Sequence, residues 1–121
     1  MAYQAEYMWI DGKEPTQEIR GKTRVIPDGA TPGIWGFDGS STNQATGDNS
    51  DVVLSPVFQC PDPIRGGDNI LVMCETLLTE DLSPHPTNTR APAAAALAKY
   101  ADQEPIFGLE QEYTLINPAT G

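Results

Sequence analysis

Short strand-like segments separated by glycine- and proline-rich turns dominate the first 80 residues of this 121-residue chain. Eleven glycines and 11 prolines lie mostly between segments whose apolar residues recur with a period of two. The pattern predicts five strands, at residues 3–11, 18–26, 34–37, 51–60 and 69–78. Pro56 limits the fourth strand to a sheet edge or forces a bend in it. Because no long helical pattern lies among these segments, we expect an antiparallel or mixed sheet.

A composition break at residue 81 precedes a helical pattern. Residues 93–100 are rich in alanine, which favours a helix. Asn88 or Thr89 can cap its start. Pro92 falls in the first turn, where its missing N–H is tolerated. The sequence therefore predicts a helix after the break.

Residues 106–116 follow the predicted helix and alternate between apolar and polar side chains, which predicts a further strand. The complete pattern is an α+β fold in two parts. A sheet domain is expected over residues 1–80, and residues 81–121 are expected to form the helix–strand opening of a second domain. The second part has too few elements to bury a core by itself.

Charge and composition restrict the classes of partner and compartment. The chain has 7 basic and 17 acidic residues and a net charge of −10, which argues against nucleic acid or an anionic membrane as a partner. No apolar stretch approaches the roughly 20 residues of a membrane span. Glu6 and Asp11 occupy the N-terminal region, where a signal peptide would be basic and then apolar. Cys60 and Cys74 lack metal-ligand spacing, so we interpret them as reduced thiols in a cytoplasmic protein.

The polar stretch at residues 36–45 is the first candidate site. An apolar run stops abruptly at Asp38, after which Gly39 permits a sharp turn. Asp38 offers a carboxylate, and the following serines and threonine offer hydroxyls. Such a loop at the end of a strand can form a binding edge. It can also be a hydrogen-bonded turn in which aspartate and serine only satisfy backbone groups.

Glu110 and Glu112 form the second candidate site. Two residues apart on a strand, their side chains share one face at a separation of roughly 7 Å. They can hold hard divalent cations, or they can be the solvated face of an edge strand. His85, the one histidine, lies between two prolines and is more readily a turn residue than a ligand. Arg65 and Arg90 can bind anions, although a local salt bridge is the simpler interpretation.

Five segments together resemble one known family. The loop Trp35-Gly-Phe-Asp-Gly-Ser-Ser-Thr-Asn-Gln-Ala45 closely resembles that of glutamine synthetases, especially the type found in eukaryotes and some bacteria. Four more segments look like the same family in its order, at residues 5–12, 60–67, 85–90 and 107–115. The resemblance implies a small β-grasp-like first domain. The chain ends at Gly121, where a family member would continue through most of its catalytic domain, so we expect a truncated form.

The resemblance also implies an activity and roles for five residues. The family joins ammonia to glutamate with ATP, through a γ-glutamyl phosphate and with Mg²⁺ or Mn²⁺ as cofactor. Asp38 matches an aspartate that takes part in ammonium binding and deprotonation, and Ser41 matches a nearby loop serine. Asp51 matches a second acid close to that site, although a turn residue is an equal alternative. Glu110 and Glu112 match metal ligands, one for the ion nearer the nucleotide and one for the ion nearer glutamate.

Two hypotheses for function follow from the resemblance. In the first, the chain is part of an enzyme that forms rings, in which the N-terminal loop of one subunit closes the catalytic site of the next. The 121-residue chain alone is then expected to be inactive, because the family's further metal ligands and nucleotide pocket lie outside it. In the second, the chain is a non-catalytic protein that assembles with or regulates a full-length enzyme. A truncated gene product is a third possibility.

Overall fold

The computed structural model describes all 121 residues and contains one five-stranded mixed sheet. The strands are β1 (Ala2–Ile10), β2 (Ile19–Pro27), β3 (Trp35–Asp38), β4 (Asp51–Pro61) and β5 (Ile70–Leu77). Their order in the sheet is β2–β1–β5–β4–β3. β1 and β5 run parallel, and all other neighbours are antiparallel. The five strands and the mixed sheet predicted from the sequence are confirmed.

The bend expected at Pro56 is a β-bulge. The register of β4 against β5 shifts between Pro56 and Phe58. Proline cannot donate to a ladder, and the bulge lets the pairing resume beyond it in a new register. This keeps β4 continuous for 11 residues, so that it pairs with β3 near its start and with β5 further along.

One face of the sheet carries the hydrophobic core. Nine apolar side chains are buried there: Ala5, Tyr7, Trp9, Ile26, Phe37, Val52, Leu54, Val72 and Cys74. Aromatic rings form its centre, since Tyr7 meets Trp35 edge-on at 5.2 Å and Trp9 lies 4.4 Å from Phe37. The alternation of β1 explains this arrangement, because every second residue of a strand faces the same side.

The two edge strands, β2 and β3, approach each other across this core face. The Lys22 ammonium lies 3.7 Å from the centre of the Trp35 ring and donates to the carbonyl oxygen of Gly36 at 2.8 Å. The Tyr7 hydroxyl donates to the carbonyl oxygen of Gly33 at 2.9 Å. These contacts hold the connector between β2 and β3 over the core and curl the sheet.

The predicted helix is confirmed as α1 (Arg90–Lys99), which begins directly after the residues expected to cap it. The Asn88 side chain accepts a hydrogen bond from the Ala91 N–H at 3.1 Å, and Pro92 lies in the first turn. None of its residues is buried, so alanine propensity rather than packing supports this helix. No helix of the structure combines the length and the apolarity that a membrane span needs.

The strand predicted at residues 106–116 is wrong. The segment is exposed and irregular, and its backbone groups bond to no other backbone group of the chain. Alternation supplies only the preference for an extended strand, whereas a strand also needs a neighbour for its N–H and C=O groups. No strand of this chain pairs with the segment.

The predicted division into residues 1–80 and 81–121 stays a prediction. The residues just after it contact the sheet directly. Pro84 bridges to Leu77, and the His85 N–H donates to the carbonyl oxygen of Thr76 at 2.9 Å. The Asn88 side chain donates to the same oxygen at 3.0 Å. The chain up to the start of α1 is therefore fastened to the sheet.

Candidate functional site

Asp38 lies where β3 ends and a single 3₁₀ turn, Gly39–Thr42, begins. Its carboxylate accepts hydrogen bonds from the Ser40 N–H at 2.9 Å and from the Ser40 hydroxyl at 2.6 Å. The Ser41 hydroxyl donates to the Asp38 carbonyl oxygen at 3.0 Å. Asp38 therefore caps the turn, as the local interpretation expects, and its side chain remains exposed to solvent.

The surroundings of Asp38 favour its ionised form. Hydrogen bonds from the hydroxyl and the backbone N–H of Ser40, with a smaller contribution from the Ser50 side chain, hold the pKa of Asp38 below its usual value. A carboxylate with a lowered pKa attracts a cation and keeps a proton weakly. The loop thus presents a fixed negative charge at neutral pH.

Asp51 lies directly opposite Asp38. The two aspartates pair in the antiparallel register of β3 and β4, as the first residue of β4 and the last of β3. Residues directly opposite on neighbouring strands point to the same face, with Cβ atoms roughly 5 Å apart. Both side chains are exposed. The structure therefore brings Asp38, Asp51 and the loop serine Ser41 to one end of the sheet.

Gln44 anchors the loop to the rest of the molecule. Its buried side chain accepts from the Trp9 indole N–H at 3.2 Å and donates to the Thr87 hydroxyl at 2.9 Å and the Ile10 carbonyl oxygen at 3.3 Å. His85 Nε2 donates to the Gln44 carbonyl oxygen at 2.6 Å. Both polar atoms of the Gln44 side chain are thus hydrogen-bonded, and they tie the loop to β1 and to Thr87.

Two glycines, one in the loop and one in the neighbouring turn between β1 and β2, are packed too tightly to carry a side chain. A Cβ at Gly39 would lie 2.6 Å from a methyl of Val52 and 3.0 Å from the Cβ of Ala45. A Cβ at Gly12 would lie 2.2 Å from the carbonyl oxygen of Asn43. Asn43 itself ends the turn at a φ of 58°, a left-handed conformation that asparagine tolerates. The site therefore rests on a rigid loop.

His85 contacts the loop through its ring nitrogen Nε2. Nε2 faces a carbonyl oxygen, which only accepts, so this nitrogen carries the hydrogen. Nδ1 lies 3.2 Å from the Thr87 N–H and accepts it. The interpretation of His85 as a turn residue is confirmed, but sequence reasoning missed its burial and its hydrogen bond to Gln44. No local pattern signals this contact, because Gln44 is 41 residues away.

Asp11 is a second residue whose role the sequence did not reveal. It is fully buried and accepts from the backbone N–H groups of Lys13 at 3.0 Å and Glu18 at 2.8 Å, and from the Arg20 guanidinium at 2.9 Å. Burial alone would raise the pKa of Asp11, but these hydrogen bonds and the charge of Arg20 together lower it. Asp11 fixes the turn between β1 and β2, which borders the loop of Asp38 through Gly12.

A groove of about 280 Å³ lies beside Asp38 and Ser41. Trp9 and Phe37 line it from the core, and Arg20 and Lys22 line it from β2. The groove is open to solvent on one side and is large enough for a small cation or a small polar molecule. The loop of Asp38 and the basic residues of β2 thus border the same groove.

Glu110 and Glu112 are not brought to this site. Both lie in the exposed irregular segment, and no ion pair or hydrogen bond joins them to another residue. No group of three or more His, Cys, Asp or Glu side chains comes close enough in this chain to hold a metal ion. Two carboxylates leave most positions of a divalent cation to water, so the residues of this chain do not by themselves form such a site.

The two arginines singled out from the sequence form local salt bridges, as their simpler interpretation predicted. Arg65 pairs with Asp62 at 2.7 Å and with Glu6 at 2.8 Å. Arg90 pairs with Glu75 at 2.7 Å. Neither presents a free guanidinium for an anion, so both contribute to the sheet rather than to the candidate site.

Comparisons with known proteins agree with this architecture. A family model described as the glutamine synthetase β-grasp domain matches residues 2–79. The chain is 67% identical over 114 residues to a glutamine synthetase of Frankia alni, a match that covers 94% of this chain and 32% of that protein. A glutamine synthetase of Streptomyces hygroscopicus is 60% identical over 116 residues, covering 96% of this chain and 34% of the relative.

A fungal relative extends the likeness beyond bacteria. The glutamine synthetase of Emericella nidulans is 50% identical over 118 residues, covering 94% of this chain and 32% of its own length. The chain thus spans about a third of the length of the curated relatives it matches. The β-grasp fold expected from the sequence is confirmed by the matched family model and by the mixed sheet. Because the family model matches most of the chain, this protein belongs to the glutamine synthetase family.

Proposed function

We propose that this chain supplies the ammonium-binding edge of an active site that ligates ammonia to glutamate with ATP. The observation that carries the proposal is the pairing of Asp38 with Asp51 at the exposed end of β3 and β4. Membership of the glutamine synthetase family supports the reaction class. The rigid loop supports a role in positioning, because a reacting group must be held in a fixed geometry.

The chemistry of the aspartate pair suits ammonium. Two carboxylates on one face repel each other and attract a cation between them. The lowered pKa of Asp38 keeps it charged at neutral pH, so it can hold ammonium by charge and by hydrogen bonds. The same carboxylate can receive the proton that ammonium must lose before its nitrogen reacts. Ser41, in the same turn, offers a hydroxyl that can donate or accept beside the bound cation.

The metal and nucleotide chemistry needs groups beyond those assembled here. Mg²⁺ or Mn²⁺ would neutralise charge on the phosphates of ATP, and Glu110 and Glu112 would contribute two of the ligands. Since two carboxylates do not complete such a site, we propose that the 121-residue chain makes no glutamine alone. Glutamate, ammonia and ATP are the proposed substrates of the assembled enzyme. A homo-oligomeric ring, or association with a full-length enzyme, in the cytoplasm would complete the site.

A second candidate function is a non-catalytic one. The incomplete cation site favours it, since a chain with two ligands can still assemble with an enzyme without adding to its metal chemistry. In this case the chain would cap or regulate a full-length glutamine synthetase. The two candidates differ in whether Asp38 acts on a neighbouring site.

Complementation separates the two candidates. A full-length glutamine synthetase carrying alanine at the aspartate that matches Asp38 would be purified alone and in mixed rings with this chain. Glutamine formation from glutamate, ATP and ammonia is expected only in the mixed rings, because the chain lends its Asp38 to the neighbouring site. Asp38→Ala should abolish the rescue. Asp48→Ala is the matched control, an exposed aspartate of the same region outside the pair, and should preserve it.

Two results would contradict the proposal. Robust turnover by the purified 121-residue chain would show that the cation and nucleotide sites are complete without a partner. Mixed rings that form but do not recover activity would remove the catalytic role of Asp38 and leave the regulatory candidate.

A further inference from the structure

Residues 84–88, which lead from the sheet to α1, include no residue of the hydrophobic core and are held by polar bonds. The His85 N–H donates to the carbonyl oxygen of Thr76 in β5 at 2.9 Å. From the turn between β1 and β2, the Gln17 side chain donates to the carbonyl oxygen of Thr87 at 2.9 Å. This segment therefore has a fixed place against two parts of the fold and can support a third.

The ring of His85 closes a circuit of hydrogen bonds that begins and ends at Gln44. The Gln44 side chain donates to the Thr87 hydroxyl at 2.9 Å, and that hydroxyl lies 2.8 Å from His85 Nδ1. Nδ1 also accepts from the Thr87 N–H at 3.2 Å, and Nε2 donates to the Gln44 carbonyl oxygen at 2.6 Å. His85 and Gln44 are both buried, so losing one partner leaves the other without water to replace it. The imidazole suits this place because it carries an acceptor on one side and a donor on the other.

A short path leads from this circuit to Asp38. The N–H of Gln44 donates to the carbonyl oxygen of Gly39 at 2.8 Å, and Gly39 follows Asp38 in the chain. Two hydrogen bonds therefore link the His85 ring to the residue next to Asp38. The chain between β3 and β4 belongs to no strand of the sheet, so contacts from outside the loop decide where it lies.

We propose that His85 is a positioning residue for Asp38. It holds Gln44 directly through Nε2 and, by way of Thr87, through Nδ1, and so keeps the Asp38 carboxylate in its place beside Asp51. This inference rests on the proposed role of Asp38 in binding ammonium. A group that binds a small cation and receives its proton must be held to within about 0.5 Å by the residues that support it. His85 does not touch the cation and acts only through the loop.

Replacements of His85 can separate the roles of its two ring nitrogens. The side-chain amide of glutamine lies as many bonds from Cβ as Nε2 does, so His85→Gln keeps a donor for the Gln44 carbonyl oxygen. The amide of asparagine lies at the level of Nδ1, so His85→Asn can bond only to Thr87. His85→Leu removes both contacts. Thr87→Val opens the same circuit at a half-buried residue and disturbs folding less.

Amide hydrogen exchange of the 121-residue chain tests the support of the loop without any catalysis. In His85→Leu and His85→Asn the Gln44 N–H should exchange about tenfold faster relative to the amides of β1, and in Thr87→Val by a smaller factor. His85→Gln should stay close to the unaltered chain. Asn69→Ala is the control, because it removes two side-chain hydrogen bonds near the start of β1 and should leave Gln44 unchanged. Exchange at Gln44 that is the same in all variants would overturn the inference.

The ammonium dependence of the mixed rings described above tests the consequence for the reaction. The complementing chain would carry His85→Leu, His85→Gln or the control Asn69→Ala, and glutamine formation would be measured against ammonium and against ATP. His85→Leu should raise the KM for ammonium about tenfold and leave the KM for ATP unchanged, because only the ammonium-binding carboxylate is displaced. His85→Gln should restore the KM for ammonium, and Asn69→Ala should not change it.

The outcomes separate this inference from the proposed function. Rescue whose KM for ammonium is indifferent to His85→Leu would overturn the positioning role alone. An equal loss in His85→Leu and His85→Gln would also overturn it, because the donor to Gln44 would then not be what matters. No rescue by the unaltered chain would refute the proposed function, while hydrogen exchange at Gln44 would still show whether His85 holds the loop.

Discussion

The sheet and the segment Ile106–Ile116 show the same alternating sequence pattern with opposite outcomes. In β1 every second side chain from Ala5 onward is buried, and Tyr7 is 0% exposed. In the segment all side chains are exposed, and Leu109 is 104% exposed. The difference is the neighbour, since β1 lies between β2 and β5 whereas the segment has no paired strand. A pattern of period two therefore predicts the preference for a strand, and a partner decides whether the strand forms.

The same contrast separates the two halves of the candidate site. Asp38 and Asp51 are fixed by the pairing of β3 with β4, and the Gln44 side chain ties their loop to β1. Glu110 and Glu112 have no such support. The two aspartates are therefore held in place by the chain alone, whereas Glu110 and Glu112 have no neighbouring strand to order them.

The largest expected effect is on the core. Leu54→Ala should lower the free energy of unfolding by about 3–5 kcal/mol, because it opens a cavity at a fully buried site. Leu109→Ala is the matched control in the segment and should change it by less than about 0.5 kcal/mol. Urea denaturation followed by circular dichroism measures both. Equal losses for the two variants would show that the segment is packed in the folded chain.

The second prediction concerns the anchor of the loop. Gln44→Ala should lower the free energy of unfolding by about 1–3 kcal/mol, because it leaves the buried Trp9 indole N–H and the Ile10 carbonyl oxygen without their bonds to Gln44. Gln111→Ala removes the same side chain from the exposed segment and serves as its control. The same denaturation experiment applies. If Gln44→Ala lowers the free energy of unfolding no more than Gln111→Ala does, the hydrogen bonds of Gln44 do not anchor the loop.

A smaller effect is expected at acidic pH. The pKa of Asp11 is lower in the folded chain than in the unfolded one, so its charge stabilises the fold above the ordinary aspartate range near pH 4. That contribution should fade as the pH falls through and below this range. The effect should be modest because protonated Asp11 still accepts hydrogen bonds. Urea midpoints of the unaltered chain and of Asp11→Asn should converge towards pH 3, and a constant difference from pH 7 to pH 3 would contradict the assignment.

The sequence predicted the elements that depend on local signals. The five strands, the bend at Pro56 and the helix that Asn88 caps all follow from periodicity and from residues close in the chain. The anchor at Gln44 could not be predicted in this way, since its partner Trp9 is 35 residues away. The prediction for residues 106–116 was wrong for the same reason, because strand formation depends on a partner that a local pattern does not contain.

The candidate site divides in the same way. The amino-acid sequence of the loop indicated Asp38 and Ser41. The contacts that hold the loop in place are seen only in the structure. Asp38 and Asp51 lie opposite each other because of the register of β3 with β4. That register cannot be predicted from the sequence of either strand alone. The sequence indicated Asp11 only as part of a turn. Its burial depends on hydrogen bonds from Arg20 and from the backbone of Glu18.

Amide hydrogen exchange tests most directly whether the loop is preorganised and the glutamate segment is not. The Gly39 N–H, bonded to Ser50 at 2.7 Å, and the Gln44 N–H, bonded to Gly39 at 2.8 Å, should exchange slowly, as β1 and β5 do. Amides of residues 106–116 should exchange at the rate of an unfolded peptide. Exchange at Gly39 and Gln44 as fast as in the segment would contradict the account.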